Sequence, residues 1–89
     1  MKAIITVIGK DQVGIIAAVC TILASNNVNV LDISQTILRE FFTMTMLVDV
    51  SACKLPFTVF CTLLENEGSK RGLSIKVQRE DIFDAMHKI

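Results

Sequence analysis

The segment Gly9-Lys10-Asp11-Gln12-Val13-Gly14-Ile15 holds the residues best suited to chemistry in this chain. Its pattern predicts a strand that breaks at turn residues and runs into a helix with a glycine in the first turn. The first backbone N–H groups of a helix have no partner within it and carry the positive end of its dipole. They attract an anion such as a carboxylate. Gly14 removes the side chain that would hold such a group at a distance. Asp11, at the same mouth, can hold an ammonium group. A carboxylate site beside an ammonium site suits a free amino acid. A structural account of the same residues is also open. Asp11 is a good helix N-cap, and Gly14 can serve close packing of helix on sheet. The loop lacks both the GxxxxGK[ST] of a phosphate loop and the close-set glycines of a dinucleotide site.

Asn29 and Asp32, at the start of the second strand, form the second candidate. Asn29 both donates and accepts hydrogen bonds. Here too a plainer account stands, with Asn27 and Asn29 as turn residues and Asp32 as a solvated edge charge. His87 is the only histidine and shares an i, i+3 spacing with Asp84. A metal site wants more ligands of matching type, so no metal and no cofactor is expected. No Ser/His/Asp or Cys/His arrangement is spaced to make a nucleophile. An acylphosphatase-like phosphate loop would need arginine where this chain offers Lys10. Binding, not catalysis, is the expectation.

The elements that must position these residues follow from periodicity. Residues 3–8 are β-branched and apolar almost throughout, which predicts a strand. Ile16, Val19, Cys20 and Leu23, flanked by Ile15, Ala18 and Ile22, predict a helix over 13–25 with a broad apolar face. Asn26-Asn27 ends it, because asparagine tolerates the left-handed backbone of a helix stop. Residues 28–39 read as a long extended segment in which Leu31, Ile33 and Ile37 share one parity and Asp32, Ser34 and Thr36 the other. A hairpin turn is expected at Glu40-Phe41. The strand over 42–50 has the cleanest period-two alternation in the chain. Pro56 suits the first turn of a second helix, which carries Phe57, Phe60, Cys61 and Leu64 to about Glu67, with Gly68 and Gly72 loosening and ending it. Leu73, Ile75 and Val77 mark a fourth strand, and Asp81 is placed to cap a short final helix. The order predicts an α+β fold. It is a ferredoxin-like βαββαβ sandwich, with a four-stranded antiparallel sheet, both long helices on one face and a short C-terminal helix. One domain covers residues 1–89.

Composition narrows the partners. Hydrophobic residues make up 52% of the chain and charged residues 20%. A chain of this size buries only roughly 60–65% of its unfolded surface, so apolar surface is left over and a twofold homodimer is expected. Nine basic and nine acidic residues cancel, which leaves no excess for a nucleic-acid face. RNA binding through the sheet would want stacked aromatics on the central strands, and Phe42 stands alone there. The three cysteines, at 20, 53 and 61, form no Cys-x-x-Cys pair, which argues against a disulfide framework or a thiol metal site. Reduced thiols, no leader pattern at the first residues and no apolar run near the roughly 20 residues of a spanning helix predict a cytoplasmic protein with no membrane partner. The long second strand leaves room for another reading, in which pairing with a partner protein is itself the function.

The run Gly9-Lys10-Asp11-Gln12-Val13-Gly14-Ile15-Ile16-Ala17, followed by Asn27-Val28-Asn29-Val30-Leu31-Asp32-Ile33, resembles the signature of the ACT domain family. The stretch Asp32-Ile33-Ser34-Gln35-Thr36 with Phe42-Thr43-Met44, and the ending from Val77 to Ile89, resemble small stand-alone ACT proteins. They are also similar to ACT modules of the glycine-cleavage-repressor type. The resemblance covers essentially the whole chain. It implies a side-by-side dimer with one continuous sheet, and an amino-acid ligand at the subunit interface. By position it implies Asp11, Gln12, Val13 and Gly14 from the first loop, and Asn29 and Asp32 from the partner's second strand, as ligand-binding residues. Many ACT loops carry proline just before the glycine. Val13 stands there instead, which predicts a less rigid loop.

Overall fold

Alternating burial along two central strands organises the molecule. The computed structural model of the protein describes residues 1–10 and 12–81. Six elements follow in chain order: β1 (Lys2–Lys10), α1 (Ile15–Ser25), β2 (Asn29–Leu38), β3 (Phe41–Asp49), α2 (Phe57–Lys70) and β4 (Ser74–Arg79). They form one antiparallel sheet in the order β2-β3-β1-β4, the ferredoxin-like arrangement that the periodicity predicts. Ala3, Ile5 and Val7 of β1 stand opposite Val48, Met46 and Met44 of β3. Directly opposed residues share a face, and all six are fully buried. Both helices cover this face, each through an i, i+4, i+8 stripe: Ile15, Val19 and Leu23 from α1, and Phe60, Leu64 and Gly68 from α2. Ile16, read as part of the α1 stripe, is instead exposed.

The helix boundaries differ from the periodicity in ways that local contacts explain. Helix α1 begins at Ile15 because Gly14 adopts a left-handed backbone, φ +86°. It ends as expected, with Asn27 at φ +61°. The Val28 and Asn27 N–H groups donate to the Leu23 and Ala24 carbonyls, the paired bonds of a Schellman stop. Helix α2 runs past Glu67 to Lys70. Gly68 does not loosen it. A Cβ there would meet Ile75 Cγ1 at 2.8 Å and the Leu73 carbonyl oxygen at 2.9 Å, so the missing side chain lets α2 lie close against β4. Gly72, at φ +72°, makes the stop.

The β2–β3 hairpin also shifts. Leu38 pairs with Phe41, so the turn residues are Arg39 and Glu40, one position earlier than expected, with Arg39 at φ +57°. A bulge falls between Val30 and Asp32 and leaves Leu31 without a partner across the ladder. The expected parity therefore breaks there. Val30, opposite Val48, takes the core-side place, while Ile33, Gln35 and Ile37 lie opposite Met46, Met44 and Phe42 on the same helix-side face. Residues 31–38 are nonetheless all exposed. The expected final helix falls on residues 82–89, outside the described residues; Asp81 itself pairs with Arg79 at 2.6 Å.

Candidate functional site

The first loop leaves the sheet at the end where Lys10 pairs with Phe41. It enters α1 through Gly14, whose carbonyl accepts the Ala18 N–H at 2.9 Å. The N–H groups of Ile15, Ile16 and Ala17 precede that bond and have no carbonyl within the helix to meet. No side chain among the described residues caps this helix end. Gln12 steadies the loop from the other side, its Nε2 donating to the Arg71 carbonyl at 3.1 Å. That bond ties the loop to the turn between α2 and β4. The amide oxygen of Gln12 remains to accept. Val13 is fully exposed.

A cavity of about 280 Å³ opens beneath this loop. Gln12, Gly14 and Ile16 line one side, and Gln35, Ile37 and Phe42 the other. It exists because the start of α1 stands off from the far half of β2, whose helix-side residues are left uncovered. Ile37 is 58% exposed and Ile33 40%. Gln35, Ile37 and Phe42 are not singled out by the spacing argument. One signal is available: Gln35 is a polar residue on the apolar parity of its strand, between Ile33 and Ile37.

The other predicted residues lie elsewhere. Asp11 falls outside the described residues. Asn29 and Asp32 sit at the opposite end of β2 from the loop. Asn29 pairs with Asp49 and Asp32 with Leu47, which puts both on the open face of the sheet. The Asp32 carboxylate accepts the N–H of Ile33 at 2.9 Å. Within one chain the structure thus joins Gln12 and Gly14 with the cavity, and does not join them with Asn29 or Asp32. Beside Asn29, hydrogen bonds from the Ser51 side chain and backbone N–H hold the Asp49 carboxyl below its usual range. On α2, burial and nearby Glu65 push the Cys61 thiol up.

The described residues contain no group of three or more His, Cys, Asp or Glu able to hold a metal ion. No helix among them is long and apolar enough to cross a membrane.

Comparison with known proteins follows the same line. The profile of the ACT domain family matches residues 2–78. A UPF0237 protein of Clostridium acetobutylicum is 56% identical over 89 residues, the full length of both chains. Among solved structures, an ACT domain protein from Streptococcus pneumoniae superposes with a TM-score of 0.82 at 45% identity, covering 98% of each chain. A candidate glycine cleavage system transcriptional repressor gives a TM-score of 0.74 at 25% identity, over 88% of this chain and 44% of that one.

Proposed function

This chain belongs to the ACT domain family, and we propose that it is a non-catalytic regulatory module that binds an amino acid between the two subunits of a homodimer. The observation that carries this reading is the state of β2. It is an edge strand of ten residues, exposed from residue 31 to 38, with Leu31, Ile33, Ile37 and Leu38 open to solvent. Proteins usually blunt such an edge with lysine, proline or brevity. The opposite edge, β4, is blunted: it has six residues and carries Lys76 and Arg79. β2 has no lysine, arginine or proline along its length. Of the two edges, it is the one suited to pair.

Antiparallel pairing of β2 with its copy extends the sheet and covers those apolar residues. It also runs the partner strand in the opposite direction. The partner's Asn29–Asp32 segment then comes toward this chain's loop end, where Gln12, Val13 and Gly14 lie, with Asn29 and Asp32 on the open face of the sheet. Like faces must stay together across the new ladder, so the partner's Ile33 falls beside the cavity. The ligand carboxylate would sit on the free N–H groups at the start of α1. Its ammonium would meet Asp11 and the Gln12 amide oxygen. A ligand that binds the closed pair better than the open one shifts the population toward it, and that shift is the regulatory signal. The module passes it on through another polypeptide or through its own assembly. The likeness to the repressor-type neighbour supports a regulatory role.

A thermal-shift screen with single amino acids, run beside sedimentation, tests this. A ligand at about 100 times its Kd adds roughly 2.7 kcal/mol, which raises the melting temperature of a domain this size by about 10 °C or more. Asp11→Ala and Gln12→Ala should each reduce the shift; Asn29→Ala and Asp32→Ala should reduce it only if the ligand also reaches the open face of the sheet, where those two residues stand. A flat screen on a stable dimer would instead favour a second reading, an assembly module without a small ligand. The exposed β2 edge supports that reading too.

A further inference from the structure

Resting on the amino-acid reading above, we infer that the ligand's own side chain is uncharged and aliphatic, of valine size or larger, and that it lies in the cavity against Ile16, Ile37 and Phe42. The lining decides this. No described residue around the cavity is charged; its polar members are the amides of Gln12 and Gln35 and the backbone at Gly14. A ligand carboxylate, ammonium or guanidinium placed there would lose water and gain no counter-charge, which is costly. One of the two Gln12 amide N–H groups is committed to the Arg71 carbonyl, and the amide oxygen is left to accept from a donor. That oxygen suits the ligand's α-ammonium. Ile16 and Ile37 are both open to solvent on the cavity wall, and an aliphatic group would cover them. Size sets a lower limit. At about 280 Å³ the cavity is just below the roughly 300–1,000 Å³ of sites for drug-sized ligands. A branched aliphatic side chain fills it better than glycine or serine, which would leave its apolar wall without contacts.

Titration calorimetry on the full chain, with valine, isoleucine, leucine, alanine, glycine, serine, aspartate, glutamate, lysine and arginine in turn, tests the inference. The expected result is binding of one or more branched aliphatic amino acids, with alanine about ten-fold weaker or worse, since each methylene in an apolar pocket is worth about 10-fold or more. The four charged amino acids should bind more weakly still. Ile37→Asp should weaken the aliphatic ligand at least about ten-fold with the fold intact, because Ile37 is mostly exposed. Ile16→Ala, on α1 and away from the strand edge, should weaken it in the same direction should Ile37→Asp disturb the dimer. Binding of a charged amino acid, or of glycine or serine alone, would overturn the inference and leave the sensor reading standing. Unchanged aliphatic affinity in both variants would overturn it too. Failure of every amino acid to bind would overturn the sensor reading and the inference with it.

Discussion

Replacing Ile33 with lysine should break the dimer and leave the subunit folded. Ile33 stands on the helix side of the β2 edge, opposite Met46, and is 40% exposed in the single chain. Full burial of an isoleucine side chain is worth about 1.5–3 kcal/mol, so covering the remaining two-fifths contributes about 0.6–1.2 kcal/mol per subunit. A twofold interface uses the residue twice, giving about 1.2–2.4 kcal/mol. Lysine forfeits that term. Two ammonium groups brought near the axis add repulsion on the order of 1 kcal/mol at solvent-like screening. The sum, about 2–3 kcal/mol, corresponds to a dimer Kd raised about 30- to 150-fold. The unfolding free energy of the monomer should change by no more than about 0.5 kcal/mol, as at other exposed positions. Sedimentation equilibrium over a wide concentration range reads the first quantity, and urea denaturation of dilute protein reads the second. Ser74→Lys, on the β4 edge, is the control and should leave association unchanged. A parent chain that stays monomeric at high concentration would refute the reasoning. So would Ile33→Lys associating as tightly as the parent while Ser74→Lys does not, for the paired edge would then be β4.

Two further predictions concern the fold itself. Gly68→Ala gains about 0.8–1 kcal/mol of helix propensity, but its Cβ lands within 3 Å of Ile75 Cγ1 and the Leu73 carbonyl. Overpacking of that kind costs about 1–3 kcal/mol. Net destabilisation is expected in urea denaturation, and a more stable variant would mean that α2 is free to shift away from β4. Asp49 has a folded pKa below its ordinary 3.8, held there first by the Ser51 side chain and then by the Ser51 backbone. Its contribution to stability is therefore fully present above that ordinary value and is lost as pH falls through the lowered one. The melting-temperature gap between the parent and Asp49→Asn should close on acidification through that window; a gap that widens there would reverse the sign.

Much of the fold was legible because both of its periodicities are strong. The β3 alternation from Phe42 to Val48 and the spaced apolar residues of α1 and α2 locate the sheet and its covering helices without further information. What the sequence hid was local geometry. Gly68 reads as a helix breaker, yet the contact that makes glycine necessary there comes from β4, a different element of the fold. The bulge at Leu31 leaves no compositional trace, since an apolar residue fits either side of the broken register. The hairpin turn carries arginine at positive φ, where turn chemistry leads one to look for glycine or asparagine. The candidate site was half legible. Gln12 and Gly14 could be picked out because a strand-to-helix loop with a glycine has a known electrostatic use. The opposite wall, Gln35, Ile37 and Phe42, comes from a hairpin that reaches back to the loop, and a spacing argument along the chain cannot see it.

The position of the cavity gives the proposed ligand a defined effect. One wall is the loop that leads into α1 and the other belongs to β2, the strand that would carry the dimer. A ligand held between them touches the element that pairs with the second subunit. If closing the dimer improves the ligand's contacts by some factor, the ligand must tighten the dimer by that same factor, because linkage between two binding equilibria is reciprocal. The two properties proposed for this chain therefore stand as one coupled equilibrium. Saturating ligand should partly offset the weakened association of Ile33→Lys, since position 33 lies beside the cavity and not within it. A ligand that binds the variant monomer as well as the parent dimer would show that the site is complete in one subunit. The exposed β2 edge would then need another explanation.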